Sequence, residues 1–166
     1  MPTHGVGEHQ IGFCGNHPGD VIAGDVYYVG LEEDGYSHTL DFVCYFSRRV
    51  RSTPMKGMPT SEEIIDVLLS QVIRNSGKPS EIRSDAGSNF ISAAVQLLYE
   101  RMGIAINIGT PYHHQLVALC ERWHRTLGQL ILSHQAAVKK SGWGSKWYRC
   151  IPIMELAFNQ TVNPGT

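Results

Sequence analysis

The segment Ile82-Arg83-Ser84-Asp85-Ala86-Gly87-Ser88-Asn89-Phe90 limits what this chain can fold into more than any other. A short β-prone run ends in a carboxylate, a glycine-containing turn follows, and an apolar helical pattern begins. That sequence of events belongs to an open α/β sheet, where ligands collect at the carboxyl ends of the strands. Asp85 stands at such an end. Thirty-five residues separate it from Glu121, which lies inside a long helical pattern, and upstream Asp25 sits in the strand-like run Ile22-Ala23-Gly24-Asp25-Val26-Tyr27-Tyr28-Val29. Three carboxylates on separate rigid elements suit two divalent cations, and two-metal sites catalyse phosphoryl transfer. Each carboxylate also has a plainer reading. Asp25 fits a solvated strand edge, Asp85 a turn, and Glu121 an exposed helix residue paired with Arg125 four positions on, worth only about 0.3–0.5 kcal/mol.

The rest of the chain reads as a mixed sheet with helices. Residues 1–20 are rich in Gly, Pro and His without a period, and read as a lead-in or linker. His4, His9, Cys14 and His17 match no common zinc spacing. Residues 21–166 read as one catalytic-core-sized domain. Three antiparallel strands are expected at 21–30, 36–46 and 50–55, with Asp34-Gly35 as the first hairpin signal and the third strand on an edge. A helix at 61–76 carries a Thr60/Glu63 capping box and an apolar face of Ile64, Ile65, Leu68, Leu69 and Val72. Gly77 and Pro79 end it. A strand at 81–84 then delivers Asp85. The helix after it, 90–101, is expected to bury Ile91, Ala94, Leu97 and Leu98, and a last strand follows at 104–108. Strand–helix–strand, twice over, implies parallel pairing with right-handed crossovers. A long helix over 115–140 buries Leu116, Leu119, Cys120, Trp123, Leu127, Leu130 and Ile131. A helical stretch over 146–159, interrupted at Pro152, packs through Trp147, Ile151, Ile153 and Leu156.

Composition narrows the setting. The chain has 166 residues, 42% of them hydrophobic, with a formal charge of −1. That suits a globular domain rather than a disordered one. It argues against a free-standing nucleic-acid-binding module, yet allows a catalytic domain that borrows DNA affinity from its neighbours. Arg48, Arg49 and Arg51 read as a solvated strand end. Cys44 and Cys120 lie in apolar runs and read as buried free thiols. No apolar run nears the ~20 residues of a membrane span, and residues 1–9 lack the features of a secretory signal. An intracellular setting is the default expectation. The closing Asn163-Pro164-Gly165-Thr166 reads as a turn, as if the chain came from a longer polyprotein.

Taken together, these motifs resemble the catalytic core of retroviral and long-terminal-repeat retrotransposon integrases, over about residues 18 to 166. His17-Pro18-Gly19-Asp20-Val21-Ile22-Ala23-Gly24-Asp25 is similar to the family's approach to its first catalytic Asp. Tyr45-Phe46-Ser47-Arg48 resembles its Phe-Ser-Arg strand end, and Ser84-Asp85-Ala86-Gly87-Ser88-Asn89-Phe90 its Ser-Asp-Asn-Gly-x-x-Phe motif. Tyr112-His113-His114-Gln115, with Glu121-Arg122-Trp123-His124-Arg125-Thr126-Leu127, resembles the loop and helix of the catalytic Glu. Trp147 and Ala157-Phe158-Asn159 are similar to the last helix. Four positions depart from the pattern. Ala86 replaces Asn, Cys44 replaces an Asp (Asp41 is near but out of register), His114 replaces Pro, and Ala118 replaces Gly. None of these removes a presumed metal ligand.

The resemblance implies an RNase H-like α/β fold, a five-stranded mixed sheet flanked by helices. It implies Asp25, Asp85 and Glu121 as both catalytic residues and ligands of two Mg²⁺ or Mn²⁺ ions. The activity implied is DNA 3′-end processing and strand transfer, a polynucleotidyl transfer on double-stranded DNA. Tyr112, His113, His114, Gln115 and Arg125 become candidate DNA contacts. A homodimer or higher oligomer is expected, as are flanking zinc-binding and C-terminal DNA-binding domains beyond this chain, and a nucleus or virus-like particle as its place of action. The departures at 114 and 118 keep open an alternative, a catalytically weakened integrase-fold module in DNA or protein assembly. An RNase H-type nuclease is a third reading, disfavoured by the Tyr-His-x-Gln loop and the spacing of Asp85 and Glu121.

Overall fold

A computed structural model describes residues 14–85, 89–109, 113–141 and 146–162. Five strands form one sheet in the order β3-β2-β1-β4-β5: β1 (Val21–Glu33), β2 (Tyr36–Cys44), β3 (Val50–Met55), β4 (Glu81–Ser84) and β5 (Ala105–Ile108). The first three strands pair antiparallel, and β4 and β5 join them in parallel. This is the mixed sheet expected from the sequence. The hairpin between β1 and β2 is as short as its sequence allows. Glu33 pairs with Tyr36, and Asp34 and Gly35 make the turn at φ 51° and 85°.

The helices are α1 (Ser61–Val67), α2 (Arg74–Ser76), α3 (Ala93–Met102), α4 (His113–Ser141) and α5 (Ile151–Val162). The capping box of α1 is formed, with Thr60 Oγ1 accepting from the Glu63 amide and Glu63 accepting from the Thr60 amide. Between α1 and α2 the helix widens into π turns over Leu68–Ile73, and Leu68 and Val72 stay buried through it. The helix after Asp85 differs from the expected phase. A 3₁₀ turn, Asn89–Ile91, comes first, Ser92 caps α3, and the inward residues are Val95, Leu98, Tyr99 and Met102. Ile91, Ala94 and Leu97 face solvent. The cause is Phe90. Its ring is buried against β1 and the turn that puts it there resets the helical phase. The expected interruption near Pro152 is present, between a 3₁₀ turn over Trp147–Arg149 and α5, but it falls at Cys150 rather than at the proline. Pro152 stands in the first turn of α5, where a missing N–H costs no intrahelical bond, so Met154 and Phe158 face the core and Ile153 and Leu156 face outward.

Two apolar clusters fill the two faces of the sheet. Ile22, Leu40, Phe42 and Ile82 pack under α1 and α3. Val21, Ala23, Val43 and Tyr45 pack under α4 and α5, where Trp123 and Trp147 are buried. Trp123 is therefore a core residue. All four cysteines are free thiols, and Cys44 and Cys120 are buried. Cys44 Sγ accepts from the Gly19 and Ser47 amides, at 3.2 and 3.3 Å, and so ties the end of β2 to the approach to β1. Among the described residues no helix is long and apolar enough to cross a membrane.

The expected edge strand, β3, is sealed by α5. Asn159, 5% exposed, accepts from the Val50 amide at 2.8 Å and donates to the Val50 carbonyl at 3.0 Å. Glu155 accepts from the Ser52 amide and pairs with Arg51. These side chains satisfy main-chain groups that would otherwise template another strand. Truncation by Asn159→Ala leaves both Val50 groups buried without partners. It should lower stability by about 2–4 kcal/mol, read as a shifted urea midpoint at unchanged slope.

Candidate active site

The strand register builds the site. In the β1/β2 pair Asp25 lies opposite Asp41. In the β1/β4 pair Ala23 lies opposite Arg83, and the same offset carried on by two residues brings Asp25 level with Asp85. Side chains alternate along a strand. Asp25 therefore shares the face of Val21 and Ala23, Asp41 that of Val43, and Asp85 that of Arg83, all toward α4. Cys120 of α4 records the result, since burial pushes its thiol up and the carboxylates of Asp25, Asp41 and Asp85 push it further.

Neighbouring packing fixes the strand ends. Gly24 is a notch. A Cβ there would stand 2.6 Å from the Phe90 ring, so only glycine lets Phe90 lie against β1. Phe90 is thereby held against β1 at the residue before Asp25. On β4 the guanidinium of Arg83 is buried over the Tyr45 ring, and its Nε donates to Glu81 at 2.6 Å. Glu81 also accepts from Asn107 of β5 at 2.6 Å. This buried network holds the strand that delivers Asp85.

Asp25 is the most perturbed of the expected carboxylates. Its side chain is 30% exposed, and Oδ1 accepts from the Val26 amide. Burial raises its pKa to about 6; His124 and the Val26 amide oppose the rise, and Asp85 and Asp41 add to it. A pocket that disfavours negative charge, yet holds further carboxylates, is one that a cation would relieve. Glu121 lies on the flank of α4 shared with His124, one turn away. Its carboxylate is 57% exposed and bonded to Arg125 at 2.8 Å. Asp25 and Asp85 thus lie on the α4 side of the sheet, whereas the Glu121 carboxylate is bonded to Arg125. Among the described residues no three His, Cys, Asp or Glu side chains are gathered as a metal cluster.

The expected DNA contacts are reached only in part. Tyr112 lies outside the described residues, as do the side chains of His113 and Gln115. His114 is exposed near the start of α4, and Arg125 is exposed one turn beyond Glu121. The long helix begins at His113, two residues before the expected start. With His114 in place of Pro and Ala118 in place of Gly, nothing in this stretch breaks a helix.

Two residues that sequence reasoning did not select complete the site. Asp41 is fully buried and accepts from Thr39, Ser52 and His124. His124 stacks on Tyr27, with ring centroids 4.3 Å apart, and its Nδ1 lies 3.9 Å from Asp25 Oδ2. The signal was present in the alternation of Thr39, Asp41 and Val43 against Leu40 and Phe42, which puts polar groups on a buried face.

Comparison with known proteins follows this geometry. The family model described as integrase core domain matches residues 15–114. The Pro-Pol polyprotein of simian foamy virus type 3 (strain LK3) is 29% identical over 135 residues, 80% of this chain and 11% of the polyprotein. The Gag-Pol polyprotein of avian reticuloendotheliosis virus is 29% identical over 138 residues, 83% of this chain and 12% of that protein. Among solved structures, the HTLV-2 integrase catalytic core domain in complex with magnesium (trimeric form) superposes with a TM-score of 0.70 at 24% identity, covering 88% of each chain. The catalytic core domain of BIV integrase gives 0.64 at 17% identity, over 84% of this chain and 82% of that one. These likenesses identify the RNase H-like fold. The chain spans about a tenth of the length of the polyproteins it matches.

Because Asp25 is held above its ordinary range, keeping it ionised opposes folding of the metal-free chain. The native state binds the proton more tightly than the unfolded state, so this cost is absent below about pH 4. It grows as pH rises to about 6, reaching up to about 3 kcal/mol. In chelator, Asp25→Asn should therefore melt above the parent at pH 7, and the gap should close as pH falls to 4. Thermal scans across that range check it, and a gap that widens on acidification contradicts the assignment.

Proposed function

Because the chain belongs to the integrase core domain family, we propose that it is a metal-dependent polynucleotidyl transferase that processes element DNA ends and joins them to target DNA. The observation that carries this reading is the common offset that sets Asp85 beside Asp25 under the helix bearing Glu121. Asp25, Asp85 and Glu121 would hold the divalent ions. Asp25 would approach from within β1 and Asp85 from just beyond the end of β4, and Glu121 would join them once its carboxylate turns from Arg125. That exposed pair is worth only about 0.3–0.5 kcal/mol, so a DNA phosphate that takes over Arg125 releases it readily. When bound, Mg²⁺ or Mn²⁺ supplies the charge that activates the attacking oxygen and stabilises the leaving one.

The chain's own groups then position DNA. Arg125 meets a backbone phosphate, and Tyr112, His113, His114 and Gln115 are the further candidate DNA contacts. The nucleophile is water in end processing and a DNA 3′-hydroxyl in joining, without a covalent enzyme intermediate. The formal charge of −1 means that affinity for DNA comes largely from segments outside this core. Self-association belongs to the same proposal, since the related HTLV-2 core is described in both dimeric and trimeric forms.

One observation favours a second reading, a weakened integrase-fold module in assembly. Glu121 is bonded to Arg125 rather than turned to the aspartates.

Strand joining, or its reversal on a branched DNA, separates the two. With Mn²⁺ the parent chain should act, and Asp85→Asn and Glu121→Gln should each fall below detection with melting temperature preserved. Activity that survives either change would refute the assigned triad. Absence of metal binding in the parent would favour the assembly module.

A further inference from the structure

We propose that His124 is a positioning residue, held by Asp41 and Tyr27 so that its ring closes one side of the Asp25 carboxylate. The inference rests on the reading of Asp25 as a metal ligand and deepens it.

Two contacts and its burial leave the imidazole little freedom. Its Nε2 bonds Asp41 Oδ2 at 2.9 Å, its face stacks on Tyr27 within 11° of parallel, and its side chain is 13% exposed. Asp41 is itself fixed. Its Oδ2 also accepts from Thr39 Oγ1 at 2.9 Å, and its Oδ1 from Ser52 Oγ at 2.5 Å. A carboxylate is an acceptor, and the groups around it are hydroxyls and a ring nitrogen, so Nε2 donates. The other ring nitrogen, Nδ1, is thereby aimed at Asp25 Oδ2, 3.9 Å away. Asp25 Oδ1 is already tied to the Val26 amide at 2.9 Å. One oxygen is held by main chain, and the second is bounded by a ring that cannot swing.

A carboxylate with no exposed surface, bonded from β2, β3 and α4, is an expensive way to fill space. Apolar side chains of similar volume would hold these elements together as well or better. What the arrangement provides is orientation. Outer groups that orient a metal ligand are typically worth 10–100-fold in metal affinity. Asp41 and His124 stand in that relation to Asp25, which they reach from the strand beside it and the helix above it.

The test is Mn²⁺ binding to the 166-residue chain, followed by calorimetry, with melting of the metal-free protein as the control for folding. Replacing His124 alone by alanine strands a buried carboxylate and endangers the fold. The informative variants are therefore His124→Gln, which keeps a donor toward Asp41, and the pair Asp41→Leu with His124→Leu, which strands no charge. Both should melt near the parent, and both should bind Mn²⁺ about 10–100-fold more weakly. Asp25→Asn serves as the reference and should lose binding altogether. Parent-like affinity in the folded leucine pair, with Asp25→Asn inactive in binding, overturns the positioning role alone. Parent-like affinity in Asp25→Asn, or no binding by the parent, overturns the ligand assignment and the positioning role with it.

Discussion

The central strand carries the structure's main constraint. β1 is paired antiparallel on one side and parallel on the other, and both registers converge on one residue. Asp25 has Asp41 opposite it on β2, and the β1/β4 offset, carried on two residues past Ala23 and Arg83, brings Asp85 level with it. Strand alternation sends all three toward the same helix. Negative charge is concentrated where water is scarce, and the surrounding groups answer that problem in different ways. Asp41 is satisfied by hydroxyls and an imidazole. Asp25 is left with a raised pKa. In an integrase core, that remaining demand for positive charge is the basis for expecting cations there.

Much of this was legible in the chain. The order of strands and helices follows from periodicity, caps and turn residues, because each of those signals is local. Thr60 with Glu63 started a helix, Asp34-Gly35 closed a hairpin, and Ser84-Asp85 ended a strand where expected. What failed was phase and partnership. The inward face of α3 was misjudged because Phe90 answers to a glycine on a distant strand rather than to its own helix. The break expected at Pro152 comes two residues earlier, at Cys150, because a proline is tolerated in the first turn of the helix that follows. Asp41 was passed over because it lay out of register with a familiar motif, and its significance depends on which strand lies beside it.

The site is pre-built on the sheet and adjustable on the helix. The aspartates are anchored by ladder pairing, by the Arg83–Glu81–Asn107 network and by the buried Asp41. Glu121 and Arg125 lie exposed on α4 and hold each other only weakly. In the proposed function, the aspartates would fix where reacting atoms meet and Glu121 would join them around the substrate. Cys44 is a further anchor, at the end of β2. A thiol accepts two main-chain amides there and ties that corner to the approach to β1.

The notch at Gly24 has a consequence beyond the geometry of one ring. A methyl group at 24 and a phenyl ring at 90 claim the same space. Neither position can therefore drift independently of the other. Lineages that gain a side chain at 24 must shrink the one at 90, so the two positions should change as a pair across divergent sequences.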